Sequence, residues 1–139
     1  MTPDKIYIVV PCYNEQEVLG ETAARLSARL AALKASGLAA KGSRILLVDD
    51  GSKDKTWSII ERLHSEDSAF AGLKLSRNQG HQNALLAGLM AAKDRAGAVI
   101  SMDADLQDDI GAVDKMLLEY RPGTKRRLPR HFEITDETR

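Results

Sequence analysis

Short runs of β-branched and aliphatic residues alternate along the chain with stretches in which leucines recur every three or four positions. Ile6-Tyr7-Ile8-Val9-Val10 reads as a buried strand closed by Pro11, which has no amide to give a ladder. From Glu15 to about Ser36, Leu19, Leu26, Leu30 and Leu33 fall on one helical face. Asn14, with Glu17 three residues on, resembles a capping box, and Gly37 and Gly42 mark the stop. The unit then repeats. Arg44 to Val48 is a second strand, Asp49-Asp50-Gly51-Ser52 a turn, and Trp57, Ile60 and Leu63 the next helix face. Leu73-Lys74-Leu75 is a short strand, followed by a polar loop from Ser76 to Gln82 and a helix through Leu85, Leu86, Leu89 and Met90. Ala98 to Met102 is a fourth strand, and a last helix carries Ile110, Val113, Leu117 and Tyr120 on one face.

Strands alternating with helices predict an α/β fold, a Rossmann-like, mostly parallel sheet flanked by helices. In such sheets ligands bind beyond the carboxyl ends of the strands. The polar clusters fall there: Tyr13-Asn14-Glu15 after the first strand, Asp49-Asp50 after the second, Arg77-Asn78 after the third, Asp103-Ala104-Asp105 after the fourth.

A length of 139 residues fits one domain, and 43% hydrophobic with 29% charged residues argues against a disordered chain. Twenty basic and twenty acidic residues cancel, which gives no reason to expect a nucleic-acid partner. The balance hides an asymmetry. From Arg121 onward six basic residues face three acidic ones, so residues 1–120 carry 17 acids against 14 bases. With Pro122 and Pro129 and few core-forming residues, 121–139 reads as a basic, irregular tail on a domain of residues 1–120. One cysteine, Cys12, excludes an internal disulfide and any multi-cysteine zinc site, and a small packed residue is its simplest reading. No apolar run approaches the ~20 residues of a membrane span, and no signal peptide is visible, so a soluble cytoplasmic domain is expected.

Asp103-Ala104-Asp105 is the sharpest chemical signal. Two carboxylates flanking one small residue at a strand end can converge on a hard cation, and Gln107 adds a neutral oxygen. Mg2+ or Mn2+ suits such a set. Of Asp108 and Asp109, one is explained as a helix cap. Asp49-Asp50-Gly51-Ser52 is on its own an Asp-Gly turn with Ser52 or Asp54 capping the next helix. Its place on the acidic edge turns it into an acceptor for a nucleobase imide or a ribose hydroxyl. The segment Arg77 to Gln82 lacks the glycine patterns of a dinucleotide site or a P-loop, yet Arg77, Gly80 and a helix N-terminus suit a phosphate. His81 reads equally as ligand or as surface residue, and His64 as solvated. The residues thus describe a metal-dependent site for a phosphate-bearing nucleotide ligand.

Val10-Pro11-Cys12-Tyr13-Asn14-Glu15, Val48-Asp49-Asp50-Gly51-Ser52, Leu75 to Gln82 and Met102 to Asp108 together resemble glycosyltransferase family 2. Within it they are most similar to bacterial polyprenyl-phosphate glycosyltransferases related to dolichol-phosphate mannose synthase. The resemblance covers residues 5 to about 120. It implies a nucleotide-sugar-binding fold of the glycosyltransferase A type and inverting transfer of a sugar to a polyprenyl phosphate. By the same resemblance Pro11, Tyr13, Glu15 and Asp50 line the base and ribose pocket, and Arg77 and Gly80 lie near the diphosphate. Asp103, Asp105 and Gln107, with Ala104 between the acids, hold the divalent ion, and the two acids are the catalytic pair. The donor is UDP- or GDP-linked. Relatives continue after Tyr120 with acceptor-side elements and membrane helices, so the fold is expected to be incomplete at the C-terminus. The full-length form then works at the cytoplasmic face of a membrane, with homo-oligomerisation left open. Two other readings compete: a receiver-like signalling domain, which needs a later strand-end lysine, and a non-catalytic nucleotide- or metal-binding module.

Overall fold

The computed structural model describes residues 3–102, 126–127 and 133–136. Their elements run β1 (Ile6–Cys12), α1 (Leu19–Ala35), β2 (Arg44–Asp49), α2 (Thr56–Glu66), β3 (Phe70–Lys74), α3 (His81–Ala92), β4 (Ala98–Ser101), β5 (Arg126–Arg127) and β6 (Glu133–Asp136). They form one sheet in the order β3-β2-β1-β4-β6-β5. β1 pairs in parallel with β2 and β4, and β2 with β3, so the expected parallel α/β sheet is present.

Side chains alternate across a strand, and that period sorts the core into two layers. Ile6, Ile8, Val10 and Cys12 of β1 and Ile45 and Leu47 of β2 face α1 and α2, where they meet Leu19, Leu26, Leu30, Leu33 and Ile60. Tyr7, Val9, Leu46 and Val48 face the opposite way, onto Ala84 and Ala92 of α3. All seven residues of β1 are buried, as a central strand covered on both faces requires. Helix α3 lies close to the sheet because Gly88 has no side chain. A Cβ there would overlap Val9 Cγ1 and stand 2.8 Å from Val48 Cγ2.

Several details differ from the sequence expectations. β1 continues through Pro11 to Cys12. The Val9 carbonyl accepts from the Met102 amide, so the backbone groups of Val9 and Pro11 both point toward β4. The β1–β4 pairing ends at Val9↔Ser101, so the proline removes no bond from that ladder. α1 begins at Leu19, after a turn closed by the Val18 and Leu19 amides on the Glu15 carbonyl, and its N-cap, Val18, makes no side-chain cap. The capping box is absent because the Asn14 side chain is engaged elsewhere. The helix ends at Ala35 and is closed, as expected, at Gly37, where the Leu38 amide donates to Leu33 and the Gly37 amide to Lys34. β3 starts three residues earlier than Leu73, since buried Phe70 pairs with Ile45 and anchors the strand.

In the segment read as an irregular tail, β6 pairs antiparallel with β4 and β5 with β6. The physical reason is the edge. Among the described residues β4 would otherwise leave one row of backbone groups unpaired, and β6 covers that row. The last predicted helix (Ile110 to Tyr120) and Asp103 to Asp109 lie outside the described residues, as do Pro122, Pro129 and His131.

Candidate functional site

The carboxyl ends of the parallel strands are tied into one edge by backbone bonds. The Asp50 amide donates to the Cys12 carbonyl (2.8 Å), the Leu75 amide to Asp49 (2.9 Å), and the Met102 amide to Val9 (3.0 Å). The loops that follow β1, β2 and β3 therefore rise side by side. Of the residues expected at a site, Pro11, Tyr13, Glu15, Asp50, Arg77 and Gly80 stand on this edge. Pro11 is buried within β1, Tyr13 is 42% exposed, and Arg77 is exposed. Asp103, Ala104, Asp105 and Gln107 lie outside the described residues, and Met102, which precedes them, sits at the edge with its side chain buried.

The two neighbouring aspartates, one ending β2 and one just past it, face different partners. Asp49 closes the turn, its Oδ1 accepting from the Ser52 amide at 3.1 Å. Its Oδ2 is buried and has no hydrogen-bond partner among the described residues. Asp50 turns toward α3, where Oδ1 accepts from the Gln79 amide at 2.7 Å. The Asn78 side-chain amide donates to both the Asp50 carbonyl (3.2 Å) and Oδ2 (3.3 Å). Asp50 thus latches the β2–α2 loop to the β3–α3 loop. Gly51 lets the two loops touch. It sits at φ 69°, and a Cβ on it would overlap the carbonyl carbon of Arg77 and the amide nitrogen of Asn78.

The β1–α1 and β2–α2 loops are joined more tightly still. The amides of Asn14 and Glu15 donate to Ser52 Oγ and Thr56 Oγ1, both at 2.8 Å, and that of Gln16 to Asp54 Oδ2 at 3.3 Å. In return the Lys53 and Lys55 amides donate to Asn14 Oδ1 and Gln16 Oε1, both at 2.9 Å. Sequence reasoning missed these partners. The signal was the paired polar alternation, Asn14-Glu15-Gln16 against Ser52 to Thr56, but partners near 40 residues apart cannot be matched without the fold.

Burial raises the Cys12 thiol pKa well above its ordinary value, and the charges of Glu15 and Asp49 add to that effect. Among the described residues the buried thiol donates to the Val10 carbonyl (3.4 Å), which agrees with a packed residue rather than a nucleophile. Desolvation also acts to raise Asp54, but hydrogen bonds from Thr56, Gln16 and its own amide outweigh it and hold the carboxyl below its ordinary value. A depressed carboxyl contributes stability in full above its unfolded-state pKa, and that contribution is lost as pH falls through the folded-state pKa. The urea midpoint is therefore expected to fall on acidification below about pH 4. An Asp54→Asn variant should show a smaller fall over the same titration.

Gly80, at φ 94°, is the N-cap of α3, and its amide donates to Asn78 Oδ1 at 3.2 Å. His81 is the first residue of that helix and is exposed. His64 is exposed, with Nδ1 donating to the Phe70 carbonyl at 2.8 Å, so it braces the β3 edge rather than joining the site. Among the described residues no cluster of three His, Cys, Asp or Glu could hold a metal. The all-oxygen set Asp103, Asp105 and Gln107 has the donor chemistry that suits a hard divalent cation. No helix among the described residues is long and apolar enough to cross a membrane.

Comparison with known proteins matches residues 7–125 to the model of glycosyl transferase family 2. Among curated relatives, the uncharacterized glycosyltransferase YkoT of Bacillus subtilis (strain 168) is 51% identical over 116 residues, covering 84% of this chain and 34% of that protein. The undecaprenyl-phosphate 4-deoxy-4-formamido-L-arabinose transferase of Shewanella sediminis (strain HAW-EB3) is 37% identical over 121 residues, covering 86% and 34%. The chain thus spans about a third of the length of these relatives. A mannosyltransferase from Pyrobaculum calidifontis, in complex with GDP-Man and Mn2+, superposes with a TM-score of 0.60 at 21% identity. That match covers 74% of this chain and 28% of the mannosyltransferase, and it shows a shared glycosyltransferase A-type fold.

Proposed function

The chain belongs to glycosyl transferase family 2, and from that premise we propose that it binds the nucleotide-diphosphate-sugar donor of an inverting transferase whose acceptor is a polyprenyl phosphate. The observation that carries the reading is the gathering of Tyr13, Glu15, Asp50, Arg77 and Gly80 on one strand-end edge, held by the bonds among three loops. The acceptor is supported by the name of the Shewanella relative, and the cation by the Mn2+ of the mannosyltransferase complex.

Each residue then has a task its chemistry suits. Tyr13 offers an exposed ring on which a base can stack, and Pro11 and Glu15 border the base and ribose. Asp50 already accepts from Gln79 and Asn78, yet a carboxylate has about four lone-pair sites and keeps room for an imide or ribose donor. Arg77 presents a fork to the diphosphate, and Gly80 opens the helix N-terminus beside it. Asp103, Asp105 and Gln107 would hold Mg2+ or Mn2+. The bound ion supplies Lewis-acid neutralisation of the charge that develops on the leaving diphosphate. A phosphate acceptor is already ionised, so the chain need not provide a strong general base to activate it. The two acids are the catalytic pair, and the setting is the cytoplasmic face of a membrane in a longer form of the protein.

A ligand that binds only the folded chain raises its stability by mass action, about 2.7 kcal/mol at a hundred times its Kd. UDP or GDP with Mn2+ is therefore expected to raise the thermal midpoint by several degrees, and chelation to reverse the gain. No shift with any nucleoside diphosphate would overturn the reading.

A further inference from the structure

We infer that Asn14 is a positioning residue for the donor: its two-way clamp on the β2–α2 loop sets the backbone that carries Tyr13 and Glu15 before any ligand arrives. The inference rests on the donor-site reading above. Asn14 has φ 51°, the left-handed region that most side chains avoid and that asparagine tolerates well. A glycine would accept the same backbone and keep the backbone-amide bond to Ser52 Oγ, but it has no acceptor for the Lys53 amide. Asparagine meets both needs: it tolerates the backbone whose amide donates to Ser52 Oγ, and its Oδ1 accepts from the Lys53 amide.

Tyr13 is held from both sides by this arrangement. On one side the Cys12 carbonyl is tied to the Asp50 amide, and on the other Asn14 is tied to Ser52 and Lys53. The next amide, Glu15, is fixed by Thr56 Oγ1. The backbone on both sides of Tyr13 is thus fixed before a ligand arrives. A loop ordered during folding adds no ordering cost to binding, so affinity depends on the clamp even though Asn14 touches no ligand.

The test is calorimetric titration of the chain with UDP and with GDP in MnCl2, well below every variant's melting point. Asn14→Ala removes the acceptor and is expected to weaken binding about tenfold, which is ~1.4 kcal/mol. Asn14→Asp keeps the acceptor and the backbone tolerance and should stay within about threefold of the parent chain. Where the alanine variant fails to fold, Asn14→Gly removes the same acceptor without backbone strain and should show the same tenfold loss. Ser43→Ala is the control. Ser43 Oγ accepts from the Ile6 amide at the opposite end of the sheet, so its loss lowers stability away from the edge. A fully folded chain keeps its Kd whatever its stability, so that control should bind as the parent does. Parent-like affinity in the alanine or glycine variant, or an equal loss in Ser43→Ala, overturns the inference. Failure of the parent chain to bind either nucleotide would overturn the donor reading itself, and this inference with it.

Discussion

Replacing Gly51 with alanine is expected to cost about 2–5 kcal/mol of stability and to abolish donor binding in whatever chain still folds. Two effects add. The left-handed backbone at φ 69° costs a non-glycine residue roughly 1–2 kcal/mol. The new methyl group would also overlap the backbone of Arg77 and Asn78 and stand 2.8 Å from Arg77 Cα, an overpacking worth about 1–3 kcal/mol. Backbone cannot rotate away as a side chain tip can, so the β2–α2 and β3–α3 loops must separate. That separation breaks the bonds from Asp50 to Gln79 and Asn78 and moves Arg77 relative to Tyr13. Urea unfolding of the variant beside the parent chain checks the stability loss. A change below about 1 kcal/mol would mean that the loops do not meet at Gly51 as described.

The second large effect is expected at Asp105. Asp105→Asn keeps the shape of the side chain and removes its charge, so a hard cation held there would lose a principal ligand. Mn2+-dependent affinity for a nucleoside diphosphate should fall at least tenfold, while the unfolding free energy stays within about 0.5 kcal/mol. The asymmetry distinguishes a ligand from a helix cap, whose loss would be felt in folding rather than in metal-linked binding. Equal donor affinity in the variant would show that Asp105 does not hold the ion.

The layered sheet was legible because its signals are local. Ile6 to Val10, Arg44 to Val48 and Ala98 to Met102 are continuous apolar runs, and Leu19, Leu26, Leu30 and Leu33 keep helical spacing. All of those leucines are buried against the sheet. The position of Asp50 and Arg77 on one edge followed from the parallel topology alone. What could not be read was which loop residue binds which. Asn14 with Glu17 has the spacing of a cap, but tertiary contact with Ser52 and Lys53 takes the side chain, and a turn on Glu15 starts the helix later. Pro11 looked like a strand end because its missing amide matters only if a partner faces it, and which neighbour it faces depends on register. Likewise, the strand Glu133–Asp136 has no strong pattern of its own; it is called for by the open edge of β4. These features arise from pairing between distant segments, where local propensity carries no information.

This edge is expected to bind a nucleotide sugar through a divalent ion. The most direct test is calorimetric titration of the chain with GDP-mannose and with UDP-glucose, each in MnCl2 and again in excess EDTA. Saturable one-site binding of at least one donor is expected in MnCl2, lost on chelation. Binding unaffected by EDTA, or no heat from either donor in the presence of the metal, would contradict it.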